Sequence, residues 1–190
     1  MIEKAYLGLI LIFFILAFAI KNIKTYLSIK KSIREKSLKL TISVLVSTII
    51  YCLIFLRITI LKPESLFEIN LPTSIKTIGL VLVSVGFILG ILALIAMKNS
   101  WRVGIKLDQK TDLVTTGIYR ISRNPYFLSY DILIFGYILI FTSPILIILY
   151  LILATVFHKM ILKEEKYLQS VHGVIYDNYK RKTNRYFTIK

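Results

Sequence analysis

The chain has 190 residues, of which 56% are hydrophobic, with a net charge of +15 and a single cysteine. So apolar a composition excludes a soluble domain of this length and marks a polytopic membrane protein. The positive charge then belongs to loops facing anionic headgroups, not to nucleic acid. The lone Cys52, set in an apolar run, supports neither a disulfide framework nor a cysteine metal site.

In chain order, the first apolar run covers about 5–22. It is expected to be a retained span and not a signal peptide. The leading MIEK carries no net positive charge, whereas Lys21, Lys24, Lys30 and Lys31 follow the run, the reverse of a signal peptide's order. Runs at 40–61 and 74–97 also fit one span each, because about 20 helical residues cross a hydrocarbon core of ~30 Å. Arg57, about a turn from the outer end of the second span, is expected to snorkel to the headgroups.

The fourth apolar region, 126–158, is too long for one span and is interrupted by FTSPIL at 141–146. Pro144 removes a backbone donor and disfavours helix at Ser143. The region therefore reads as a hairpin with spans at 126–142 and 144–160, the alternative being one long kinked helix. Asp131 lies inside the fourth span. An intramembrane acid is a functional candidate, and the other reading pairs it with an interfacial base. It shares a helix face with Asn124 if the helix starts at Pro125. The polar C-terminus is expected to be helical up to Gly173 and again through Tyr179, as a cytoplasmic cap.

Basic residues orient this arrangement. Segments 21–39, 98–124 and 158–190 hold seven, six and eight Lys/Arg, together 21 of the chain's 25. Five spans with the N-terminus outside put all three segments in the cytoplasm. The expected fold is thus all-α, a polytopic membrane helical bundle of about five transmembrane helices with a cytoplasmic C-terminal cap. Residues 1–190 form one membrane domain.

There is no P-loop, no GxGxxG after a strand, no HExxH and no pair of CxxC motifs. The two histidines are too few for a His-rich metal site, and no metal is expected. What remains is two polar segments flanking the hairpin, at 101–127 and 158–185. The hairpin's helices are neighbours, so Asn124, Pro125 and Tyr126 at one end approach Glu164 and Glu165 at the other. Gly117 gives a loop its backbone freedom, Pro125 suits a first helical turn, and the free N–H groups there can bind an anion. An anion cradle beside carboxylates suits a zwitterionic small molecule.

LVTTGIYRISRNPYF (113–127), then EEKYL and HGVIYDNYKR, resembles the isoprenylcysteine carboxyl methyltransferase and phospholipid methyltransferase superfamily. Its members carry L-V-x-x-G-x-Y-x-x-x-R-[HN]-P-x-Y, an E-E pair and an F-G-x-x-Y-x-x-Y tail. SWRVGI (100–105) resembles bacterial members, and the likeness covers about 100–187. It implies S-adenosyl-L-methionine bound in a cytoplasm-facing pocket over the last helices, in segments 100–127 and 158–187. Carried over by position, Thr111, Asp112, Leu113, Val114, Gly117 and Tyr119 would line the cofactor. Asn124, Pro125, Tyr126 and Phe127 form the next block, and Glu164 would hold a polar group of the cofactor. The sequence departs from the pattern at Phe127, where members have Tyr, and at Met160, where the isoprenylcysteine enzymes have a carboxylate-gripping Arg.

Methyl transfer from a sulfonium needs alignment in a dry site more than acid–base chemistry. Arg123 and Arg185 are the candidates to neutralise an acceptor carboxylate or phosphate, with Glu165 completing the catalytic set. The leading expectation is an integral membrane methyltransferase acting on a lipid-like or prenylated acceptor that arrives from the bilayer. Carboxyl methylation of the isoprenylcysteine type comes first, phospholipid amine N-methylation second, and a non-catalytic lipid-binding scaffold is the reading from another class.

Overall fold

The structure, a computed structural model, describes residues 2–31, 33–104 and 112–188. Its main helices are α1 (Ile2–Ile29), α2 (Leu38–Thr59), α3 (Thr73–Ala96), α4 (Pro125–Ile140), α5 (Pro144–His172) and α6 (Val174–Lys182). Among the described residues no strand forms, and the one pairing outside helices is an isolated bridge between Arg34 and Val103. The all-α membrane bundle expected from composition is therefore the fold.

Local chemistry sets the helix ends. The Ser37 side chain accepts from the Leu40 N–H and caps α2. Pro125 and Pro144 each occupy the first turn of their helices, where a missing N–H costs nothing. Ser143, in extended conformation, turns the chain between α4 and α5, so the long fourth apolar region is a hairpin. Its polar extension runs to His172, and α6 begins after Gly173.

Four helices, α1, α2, α3 and α5, are long and apolar enough to cross a membrane. The fourth expected span departs from the expectation of five full crossings. With 16 residues, α4 is about 24 Å long against a core of ~30 Å. It starts at Pro125, which suits a first helical turn, and the preceding loop is held by contacts described below.

The helix α4 lies hard against α3. A Cβ on Gly86 would sit 2.6 Å from the Leu133 backbone nitrogen, and one on Gly136 would sit 2.7 Å from the Gly79 carbonyl oxygen. Only glycine permits backbones this close. The core around Phe14, Ile50, Ile54, Val83, Leu133, Tyr137 and Leu153 then joins α1 to α5.

Arg57 does not snorkel. It is buried, donates to both carboxylate oxygens of Glu68 and to the Leu61 carbonyl, and lies 5.2 Å from the centre of the Phe141 ring. The 60–72 connection is also tied to the hairpin turn, with Ser143 Oγ donating to the Leu66 carbonyl at 2.6 Å and Ile69 N–H to Thr142 O at 2.8 Å. The guanidinium finds its counter-charge within the protein, in Glu68.

Candidate functional site

A cavity of about 340 Å³ opens where the polar ends of α4 and α5 meet α1 and α2. Of the expected cofactor residues, Asp112, Leu113, Val114, Tyr119, Asn124, Pro125, Tyr126, Phe127 and Glu164 all line it. Gly117 does not. It supplies a turn at φ +61°, a left-handed conformation that favours glycine. Thr111 lies outside the described residues.

The loop before α4 is assembled from far along the chain. The Tyr179 hydroxyl in α6 donates to the Tyr119 carbonyl at 2.6 Å. Arg123 N–H donates to Asn184 O, and Thr188 N–H to Ile121 O. Ser122 Oγ donates to Arg185 O at 3.1 Å and accepts from the Asn124 N–H at 3.0 Å. The C-terminal tail thus frames the floor of the cavity.

Glu165 is the hub of that frame and not a lining residue. One of its oxygens receives Arg123 Nε and Nη2 at 3.1 and 2.9 Å and Asn124 Nδ2 at 3.2 Å. The other receives Arg185 Nε and Nη2 at 3.0 and 2.9 Å. Burial alone would raise its pKa, but the hydrogen bonds from Arg185 and Arg123 outweigh that and hold it below the usual carboxylate range. Arg123 reaches the cavity wall with its guanidinium committed to Glu165 and to the Thr183 carbonyl. Arg185 is likewise engaged and lies outside the lining. The three residues expected to form the catalytic set are drawn together as a structural ion-pair network.

Its neighbour Glu164 behaves differently. It faces the cavity and makes no ion pair or hydrogen bond among the described residues. It lies in the polar part of α5, beyond the apolar run that ends near residue 158. Burial, with the charges of Glu165 and Glu35 added, pushes the Glu164 pKa up to about 7. Burial, with the Glu164 carboxylate added, pushes the Tyr119 phenol pKa above its ordinary value.

Across from Glu164, no side chain caps the N-terminus of α4. Its first N–H groups, on Tyr126 and Phe127, stand where an anionic group is favoured. A carboxylate, an uncapped helix start and a largely apolar wall together suit a small molecule that carries both charges and an apolar part.

The sequence departures also find their places. Phe127 packs edge-on against Phe157 with ring centres 5.0 Å apart, an apolar contact with no use for a hydroxyl. Tyr126 is stacked on Phe18 and meets Trp101 edge-on at 5.1 Å. Met160 lines the cavity, while His158 turns to the Tyr186 hydroxyl at 2.6 Å. Asp131 is half-buried and outside the lining, with one oxygen lacking a hydrogen bond among the described residues.

Sequence reading missed the contribution of α1 and α2, from which Phe18, Ser43, Ser47 and Tyr51 reach the cavity. Serines spaced by four along α2 are the one available sign, and such hydroxyls ordinarily just bond their own helix. A family model described as phospholipid methyltransferase matches residues 75–174, just over half of the chain. No curated protein matches the chain closely enough to count as a relative.

Proposed function

The chain belongs to the phospholipid methyltransferase family, and from that membership we propose that it moves a methyl group from S-adenosylmethionine to a lipid-like acceptor. The observation that carries the reading is that Asn124 and Glu164, from segments forty residues apart, line one cavity of about 340 Å³. On this reading the cavity faces the cytoplasm, with the N-terminus outside and the whole chain one membrane domain; the clustering of basic residues in the flanking segments supports it.

When bound, S-adenosylmethionine supplies a sulfonium methyl that leaves by in-line displacement. Glu164 would hold a cationic or hydroxyl group of the cofactor, and the α4 N-terminus would receive its carboxylate. Tyr119, Leu113 and Val114 border the same space. Phe18, Trp101, Phe127 and Phe157 wall the route toward the bilayer and exclude water, which strengthens every polar contact inside. Arg123, Glu165 and Arg185 act by fixing Asn124 and the helix start.

For the acceptor, carboxyl methylation of a prenylated cysteine, which sequence puts first, calls for a cation to hold the carboxylate. Arg123 and Arg185 are both engaged by Glu165, and Met160 stands in the place of the gripping Arg. The geometry better supports the second reading, N-methylation of a lipid amine. An amine needs no cationic clamp: aromatic walls such as Trp101 and Phe127 attract its ammonium form, and its nitrogen would lose a proton to solvent before attacking the methyl.

Calorimetry of the purified protein with S-adenosylhomocysteine tests the proposal. Stoichiometric binding is expected, and a non-catalytic scaffold would show none. Labelled-cofactor assays with a prenyl-cysteine and with an amine phospholipid then separate carboxyl from amine chemistry.

A further inference from the structure

The family match begins at residue 75, so α1 and α2 fall outside it, yet they build one side of the cavity. The two helices touch near Gly8 and Ile58, where a Cβ on Gly8 would lie 3.8 Å from Ile58. Toward the linker between them they part, and the cavity enters the gap, bounded by Ile15 and Phe18 on α1 and by Leu40 to Tyr51 on α2. That stretch of α2 is about 16 Å long, half the bilayer core. Ile15, Val44 and Thr48 line the cavity and are also exposed, so its open side lies between these helices.

Charge divides the cavity in two. Asp112, Arg123 and Glu164 belong to the polar half, whereas the α1–α2 half has hydroxyls and no charged side chain. Buried Ser43 and half-buried Ser47 sit one turn apart on the inward face of α2. Opposite them Tyr130, Phe127 and Phe157 form an aromatic wall, with Phe157 centred 5.1 Å from Tyr130. A polar end beside Glu164 and a long uncharged groove open to lipid fit one amphiphile, head at the cofactor and chain between the helices.

Resting on the methyltransferase reading, we propose that the α1–α2 groove is the acceptor site. The hydrocarbon chain lies between Ile15 and Thr48, and Ser43 and Ser47 meet the polar atoms just below the head. Acceptor choice is then written in the part of the chain that the family match leaves out.

The test plugs the mouth. Among the described residues Thr48 Oγ1 bonds only the Val44 carbonyl of its own helix, so Thr48→Phe removes no tertiary hydrogen bond there and adds a ring facing the groove. Trp101, the chain's one tryptophan, lines the cavity and reports on its contents. In vesicles of phospholipid brominated along the acyl chains, the wild type is expected to lose Trp101 emission and Thr48→Phe to recover most of it. The variant's KM for whichever acceptor the wild type methylates should rise about tenfold or more, with S-adenosylhomocysteine affinity unchanged. Absent quenching in the wild type, or equal quenching in the variant, overturns the groove. Loss of S-adenosylhomocysteine binding by the wild type instead overturns the methyltransferase reading, and the quenching comparison stands independently of it.

Discussion

Arg185 donates through Nε and Nη2 to a single oxygen of Glu165, at 3.0 and 2.9 Å, and so fastens the last described stretch of the chain to α5. The other oxygen of Glu165 is shared by Arg123 and Asn124. Removing this buried acceptor strands two guanidinium groups. Glu165→Ala is therefore expected to cost about 2–4 kcal/mol of stability, read as a lowered unfolding midpoint in detergent. A midpoint equal to wild type would show that the network contributes nothing.

The adjacent carboxylate has the opposite profile. Glu164 makes no ion pair or hydrogen bond among the described residues, so Glu164→Ala should leave the unfolding midpoint near that of wild type and abolish S-adenosylhomocysteine binding in calorimetry. Unchanged affinity would remove Glu164 from the cofactor site.

Protonation gives a second handle on the same residue. With its pKa raised to about 7 by burial, Glu164 is mostly neutral at pH 6 and mostly charged at pH 8. A cofactor that needs the carboxylate binds only the charged fraction, so the affinity should weaken about tenfold between pH 8 and pH 6. Glu164→Gln should bind weakly and lose this dependence. A flat profile in the wild type would contradict the assignment.

At the far end of the bundle, Arg57 and Glu68 form a buried pair. Glu68→Ala leaves a buried guanidinium without its acceptor and is expected to cost about 3 kcal/mol. Replacing both, as Arg57→Leu with Glu68→Ala, should cost less than the sum of the single changes. Additive losses in chemical unfolding would argue against the pair.

The contact between α3 and α4 links packing to the cavity. A methyl group at residue 86 would be 2.6 Å from the Leu133 nitrogen, so Gly86→Ala must push α4 outward, at about 1–3 kcal/mol. Because Pro125, Tyr126 and Phe127 ride on α4, the shift should also weaken S-adenosylhomocysteine binding. A stable variant with native affinity would uncouple the two.

Much of this architecture is legible before any coordinates. Apolar length and the Pro144 break fix the hairpin, and the hairpin brings Asn124 to Glu164. Three things are not legible. Arg57 looks like a snorkelling residue because its partner Glu68 is held by a loop whose course depends on the α4–α5 turn. Glu165 looks as available as Glu164, since only the fold decides which of two adjacent carboxylates meets Arg123 and Arg185. Ser43 and Ser47 look like tolerated hydroxyls in an apolar helix, because the parting of α1 from α2 leaves no local mark.

The brevity of α4 has a consequence for where donor and acceptor can meet. A helix of about 24 Å is shorter than a core of ~30 Å, and Pro125, Tyr126 and Phe127 at its start line the cavity. On the proposed function, a water-borne donor and a lipid acceptor would meet at that helix start, and neither would have to be lifted out of the solvent it prefers.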